Sequence, residues 1–261
     1  VKYVLNRKNT ITGIAYKNDK AILAWELGNE IWDAPMEWIT EMAQYIKTID
    51  QNHLVSDGMQ YQLVHEKIIE NPFIDILSTH HYEPNPYDML AHIRETAEKA
   101  KGKKPYYIGE FGFISTSGIK NVLDYVIDNA HITGALIWSL RFHNRDGGFY
   151  WHSEPLGDGL YKAYHWPGFH SGNAYDETNV LDLYVQKAFE IQQKPVPELQ
   201  APDPPKLLPI KDLAHISWQG SVGAQSYDLQ RSEKSDGNWD TIARDISDAV
   251  SYTHLTLPTN R

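Results

Sequence analysis

Over its first 190 or so residues the chain repeats a coarse alternation of apolar and polar stretches. Five short apolar runs, at residues 21–27, 53–56, 74–78, 106–108 and 135–139, each give way to polar or aromatic residues. Their ends fall near Glu30, Asp57, His80, Glu110 and Trp138, about 23–30 residues apart. Apolar residues at helical spacing fill the gaps. Met36, Ile39, Met42, Ile46 and Ile49 form one stripe over residues 36–50, with Asp33 placed to cap it. Leu90, Ile93 and Ala97 follow Asp88 in the same way, and Ile119, Val122, Tyr125 and Val126 follow Ser117. Residues 181–191 make a last amphipathic segment.

Strands alternating with helices at this interval predict βαβ units and a parallel sheet. A doubly wound open sheet would carry a Gly-rich phosphate loop after its first strand, and none is present. A (β/α)8 barrel is the better expectation. It puts functional side chains at the C-terminal ends of strands, where Glu30, His80, Glu110 and Trp138 stand. A whole barrel needs roughly 250 residues and eight strands, whereas about five strands can be counted here. The fold expected is therefore α/β: a partial TIM (β/α)8 barrel, roughly strands 4–8, over residues 1–193, with three strands upstream of Val1.

The pattern changes after that. Six prolines between residues 195 and 209 predict a stiff, extended linker over 194–209. The segments AHISWQG, SYDLQRSE and WDTIARDI then alternate with period two, so residues 210–249 read as part of a small all-β sandwich. Trp218, Tyr227, Leu229, Trp239 and Ile242 resemble the first half of a fibronectin type III module, which about 40 residues are too few to complete. The final VSYTHLTLPT, within 250–261, resembles translated adapter or vector sequence, and is expected to be non-native read-through.

Charge narrows the partners. A formal net charge of −10 disfavours nucleic acid and anionic membranes, which need clustered Lys and Arg, and suits a neutral ligand. No apolar run approaches the length of a membrane span. The absence of cysteine excludes disulfides and thiolate zinc sites. Eight Trp and sixteen Tyr supply the flat, hydrogen-bonding surface that sugar clefts use, although the same residues also build ordinary cores.

The stretch AILAWELGNE carries the first chemistry. Alternation along a strand puts Glu26, Gly28 and Glu30 on one face, and Trp25, Leu27 and Asn29 on the other. Inside a barrel Glu26 would be a buried, hydrogen-bonded structural carboxylate, while Glu30 would stand at the rim. Glu110, in YYIGEFG, leaves its strand in a similar way three βα units later. Two carboxyls on separate strand ends are what glycosidic cleavage requires: one protonates the departing oxygen and the other attacks the anomeric carbon. His80 and His81 are neighbours on a strand and so point to opposite faces, which argues against a shared metal ion.

The wording around these residues resembles a known family. NTITGIAYKNDKAILAWELGNE is similar to the fourth-strand region of glycoside hydrolase family 5, particularly its endo-β-1,4-mannanase branch. IDILSTHHY resembles that family's sixth-strand His-x-Tyr, YYIGEFG its seventh-strand nucleophile and GALIWSL its eighth-strand Trp. The resemblance implies a retaining, two-Glu mechanism on a mannan or related β-glycan, with no metal and no organic cofactor. It implies Glu30 as acid/base, Glu110 as nucleophile, Asn29 on the sugar 2-hydroxyl, His80 beside Glu30, Tyr82 donating to Glu110, and Trp138 as a sugar platform. It also implies a secreted or periplasmic protein with no obligate protein partner. Trp32 stands one position beyond the Pro that this family often places after its acid, Ile31 taking the place of that Pro. The aromatic loop over residues 141–172 is expected to wall the cleft, with His143 and Trp151 in it.

Three other readings compete. A β-glucanase or exo-β-mannosidase would share the mechanism. A non-catalytic carbohydrate-binding protein would need neither carboxylate. A metal-dependent hydrolase would show His-x-His on a first strand.

Overall fold

The computed structural model describes every residue except 32, 59–61, 142–143, 146–152, 157–158, 167, 169–175, 211–214, 247–254 and 257–261. Its elements run α1 (Lys2–Asn6), β1 (Ala24–Glu26), α2 (Met36–Ile49), β2 (Leu54–Ser56), α3 (Glu66–Ile69), β3 (Leu77–His81), α4 (Pro86–Ala100), β4 (Tyr106–Phe111), α5 (Thr116–Asp128) and β5 (Ile132–Ile137). There follow β6 (Ser153–Leu156), β7 (Gly159–Lys162), α6 (Glu177–Ile191), β8 (Lys206–Leu207), β9 (His215–Ile216), β10 (Trp218–Gln219), β11 (Tyr227–Arg231), β12 (Asp240–Ile246) and β13 (Leu255–Thr256). Among the described residues no helix is long and apolar enough to cross a membrane.

The first five strands are all parallel. β1 pairs with β2, and β3 with β4 and then β5. Val55 of β2 links the two groups, its carbonyl accepting the Asp75 N–H (2.8 Å) and its own N–H donating to the Asp75 carboxylate (2.7 Å). Five parallel strands in sequence order, with helices between them, form an arc of a (β/α)8 barrel, the α/β fold expected from the apolar rhythm. Helices α2 and α4 pack on β2 and β4. They bury Ile39, Ala43 and Ile46, and Met89, Ile93 and Ala97, while Val55, Leu77, Tyr106, Ile108 and Phe111 are among the buried apolar residues of the strands.

The helix caps differ from those expected. Asp33 stands too far upstream to reach the first turn of α2. Pro35, fixed near the φ that helix entry needs, precedes Met36, and no side chain caps the helix. Asn85, not Asp88, caps α4, its Oδ1 accepting the Tyr87 N–H at 3.0 Å with Pro86 next to it. Ser115 Oγ, not Ser117, accepts the Gly118 N–H at the start of α5.

The chain forms two compact units: residues 1–114 with 121–137, and residues 115–120 with 138–261. The second unit takes in chain on both sides of the composition change near 193. Its cohesion comes from ties such as Gln219 Nε2 to the Arg145 carbonyl (2.9 Å) and the Gly223 N–H to the Trp166 carbonyl (3.2 Å). Within it, β6 and β7 form an antiparallel hairpin, a feature not anticipated for the 141–172 loop. The Gly157-Asp158 step, a two-residue hairpin signal, could have disclosed it. The segment after α6 is all β and antiparallel, pairing β8 with β10, β9 with β13 and β11 with β12. The end of the Pro-rich stretch contributes β8. Trp218 and Tyr227 meet edge-on at 5.5 Å in a small core with Ala224, whereas Trp239 and Ile242 are exposed.

Candidate active site

Glu30 follows β1, His80 sits near the end of β3, and Glu110 near the end of β4. His80 Nδ1 is 2.8 Å from Glu30 Oε1 and 3.6 Å from Glu110 Oε2. One acceptor or donor atom from each of the three lies within 4.8 Å of the others. The Tyr82 hydroxyl donates to Glu110 Oε2 at 2.5 Å, and its ring stacks on Phe113 at 5.1 Å. Four residues named from the sequence, Glu30, His80, Tyr82 and Glu110, thus converge at one end of the strands.

Strand alternation alone would have misplaced Glu110. With period two it would share the helix-covered side with Tyr106 and Ile108. The β3–β4 ladder slips between Thr79 and His80, so that Thr79 pairs with Ile108 but His80 with Glu110. Gly109 is the extra residue of this β-bulge, which turns Glu110 to the side of His80 and leaves Phe111 buried with Ile108. A Cβ at Gly109 would lie 2.2 Å from Ser78 Oγ and 3.1 Å from His80 Nε2. A glycine inside an apolar strand is the signal that could have announced the bulge.

The two adjacent histidines face opposite ways. His80 joins the carboxylates, while His81 is fully buried on the other side. There His81 Nε2 contacts Thr79 Oγ1 (2.8 Å) and its Nδ1 contacts Glu83 (3.3 Å). Burial pushes the His81 pKa down, outweighing the Glu83 charge. Glu83 also accepts from His92 at 2.6 Å. Burial opposes ionisation of Glu83, but these two imidazoles hold its pKa low.

Glu26 meets the expectation in part. It hydrogen-bonds Tyr107 and is coupled to His80 and Glu110, yet the residue is exposed rather than buried. Partial desolvation, helped by the Glu110 charge, raises its pKa against the pull of His80. Asp57, just past β2, is buried. Desolvation, assisted by the Glu26 charge, lifts its pKa to about 7 against the backbone N–H groups of Asp57 and Gly58. In the sequence Asp57 stands out only as a strand end.

Asn29 is exposed. Trp138 belongs to the second unit, where the Arg141 guanidinium lies 5.4 Å from its ring centre. Trp32, His143 and Trp151 lie outside the described residues. On distance alone Glu30, His80 and Glu110 could hold one cation, although Tyr82 already occupies an oxygen of Glu110.

The parallel β/α arc carries two carboxylates at its strand ends, and comparison with known proteins shows what the chain is similar to. Residues 1–123 match the family model described as GH family 5 beta-mannosidase-like. Mannan endo-1,4-beta-mannosidase 1 of Oryza sativa subsp. japonica is 35% identical over 153 residues, covering 43% of this chain and 35% of the relative. Mannan endo-1,4-beta-mannosidase 3 of Solanum lycopersicum is 30% identical over 198 residues, covering 56% and 49%. The chain thus spans half or less of these relatives' length. The solved endo-beta-1,4-mannanase from Thermotoga petrophila superposes with a TM-score of 0.56 at 21% identity, over 82% of this chain and 51% of that one. A Glycoside Hydrolase Family 5 Mannosidase from Rhizomucor miehei also gives 0.56, at 20% identity, over 74% and 57%. At these identities the two structures speak for the fold.

Proposed function

We propose that this chain carries the acid/base and the nucleophile of a retaining glycoside hydrolase acting on internal β-1,4 bonds of a mannan. The observation that carries the reading is the close approach of Glu30 and Glu110, whose nearest oxygens lie within 4.8 Å with His80 beside both. Retaining enzymes hold their carboxyls about 5–5.5 Å apart; inverting ones need about 6.5–9.5 Å to admit a water.

In this reading Glu110 attacks the anomeric carbon as Glu30 protonates the departing glycosidic oxygen. Glu30 then removes a proton from water, which displaces Glu110 and regenerates both groups. Tyr82 steadies the nucleophile, His80 orients Glu30, and Asn29 binds the 2-hydroxyl. The family resemblance gives Trp138 a sugar-stacking role, and Trp32, His143 and Trp151 are carried as substrate-contact candidates from the sequence alone. Support for mannan over another β-glycan comes from the relatives' names. A polymeric substrate fits a secreted or periplasmic protein, in which the β-rich segment after the Pro-rich stretch acts as a spacer or substrate contact.

The test is made on the natural protein that contains these residues. A 2-deoxy-2-fluoro-β-mannoside with a good leaving group should label Glu110, located by peptide mass. Glu110→Ala should abolish hydrolysis of mannan. Label on another residue, or an active Glu110→Ala variant, would overturn the assignment, and faster hydrolysis of a β-glucan would overturn the substrate.

A further inference from the structure

The segment that carries Glu30 leaves β1 in an unusual conformation, with Glu30 itself in the left-handed region at φ +50°. A non-glycine residue there is held by its surroundings rather than by its own preference. Those surroundings are the exit of β2. The Leu27 N–H donates to the Ser56 carbonyl at 3.3 Å, and the Ile31 N–H to the Gly58 carbonyl at 3.0 Å. The two bonds bracket Gly28, Asn29 and Glu30.

Between them the two backbones touch. Gly58 has φ +70°, and a Cβ on it would lie 2.0 Å from the Gly28 carbonyl oxygen and 2.9 Å from Glu26 Cγ. The first obstacle is backbone, so no side-chain rotation relieves it. Gly102 has the same φ of +70° with nothing within 4 Å of its would-be Cβ, so backbone strain and steric clash can be separated in this protein.

We propose that Gly58 is a positioning residue for the acid/base: by letting the Gly28 carbonyl seat against it, it holds the 28–31 segment so that the Glu30 carboxyl meets His80 and faces Glu110. The inference rests on the proposed two-Glu reaction. A side chain at 58 drives Gly28 away, carries Glu30 with it, and leaves Glu110, on β4, where it is.

The consequence depends on the leaving group. Bond cleavage needs a proton from Glu30 when the departing group is a sugar hydroxyl, and needs none when it is 2,4-dinitrophenolate. Gly58→Ala should therefore lower kcat/KM on a manno-oligosaccharide by about tenfold or more, since misplacement near 1 Å costs on the order of 10²-fold. On a 2,4-dinitrophenyl β-mannoside, kcat/KM should fall less than about twofold, because acid catalysis contributes little there. Azide should raise turnover of the activated substrate by attacking the anomeric carbon of the glycosyl-enzyme, releasing Glu110 as carboxylate and yielding a glycosyl azide without base assistance. Gly102→Ala should lower thermal stability and leave the ratio of the two kcat/KM values unchanged.

Equal losses on both substrates, or no loss, would overturn the proposal. If Gly58→Ala does not fold, Gly28→Ala decides when read with its crystal structure. Its added Cβ would meet only the Ile31 side chain, at 2.7 Å, which either pushes the 28–31 segment or rotates away. A displaced segment with an unchanged substrate ratio, or an undisplaced one with a changed ratio, overturns the proposal. Glu30→Ala is the reference: if it lacks the leaving-group signature, the two-Glu reading itself fails, whatever Gly58 does.

Discussion

Tyr82 and Glu110 are joined by a 2.5 Å hydrogen bond in which the phenol donates to the carboxylate. Stacking on Phe113, itself buried, fixes the Tyr82 ring, so the hydroxyl is aimed before any substrate arrives. A hydrogen bond to a charged group contributes about 1.5–3 kcal/mol. Tyr82→Phe keeps the stacked ring and removes the donor. It should lower kcat/KM on mannan by roughly 10–100-fold with a melting temperature within a few degrees of wild type. Steady-state kinetics beside a thermal melt check this, and unchanged kinetics would show that the bond is idle in the reaction.

Asp57 makes stability depend on pH in a defined direction. Burial, together with the Glu26 charge, raises its pKa from the usual 3.8 to about 7. A raised carboxyl stabilises the fold below its unfolded pKa, and that contribution is lost as pH rises through the folded value. The loss therefore runs from about pH 4 to 7 and reaches on the order of 4 kcal/mol. Asp57→Asn, which resembles the protonated acid, should match wild type near pH 4 and exceed it at pH 8 in urea unfolding. Parallel pH curves for the two proteins would contradict this.

At the other end of the strands, Asp50 anchors a buried group of donors. It accepts from Trp25 Nε1 and His53 Nδ1, each at 2.6 Å, and from the backbone N–H groups of Asn52 and His53. Burial opposes ionisation of Asp50, but these bonds outweigh it and lower its pKa; burial likewise opposes the charge on His53, whose pKa is nevertheless raised by the Asp19 carbonyl and Asp50. The Asp50 contribution is lost as pH falls through its depressed pKa, and the His53 contribution as pH rises through its elevated one. Asp50→Ala should cost about 3–5 kcal/mol, with the largest deficit between about pH 4 and 6.5. Urea titrations at pH 3, 5.5 and 9 test the shape.

Lys104 has no carboxylate within ion-pair distance among the described residues, and instead closes the turn after α3. Its Nζ donates to the carbonyls of Asn71, Ile74 (2.5 Å) and Ile68 (3.4 Å). Desolvation lowers its pKa. Lys104→Met keeps the stem and removes the donors, so it should cost about 1–3 kcal/mol, read as a lower urea midpoint at constant slope.

Which of these features were legible beforehand follows from their range along the chain. The strand ends at Glu30, His80 and Glu110 could be read because an apolar run and the polar residue that ends it are neighbours in sequence. The helix at 36–49 could be read because its stripe repeats every turn. The Asp33 and Asp88 assignments failed one step further on, since a cap works only at the residue adjoining the first turn, and Pro35 and Pro86 decide where that turn begins. Glu26 was expected to be buried because alternation gives a side chain's face and says nothing of what covers that face.

The amino-acid sequence by itself determined the period of the β/α units and the residue types at their ends, while the pairing of two glutamates with a histidine and a tyrosine was implied only by the family resemblance. Tertiary structure decided which way those side chains point. The bulge at Gly109 turns Glu110 toward His80, and the contact of Gly58 with the Gly28 carbonyl sets the left-handed bend that delivers Glu30. Both depend on the register between strands about 30 residues apart. That register is fixed when backbones are packed against each other, and no local pattern of apolar and polar residues encodes it.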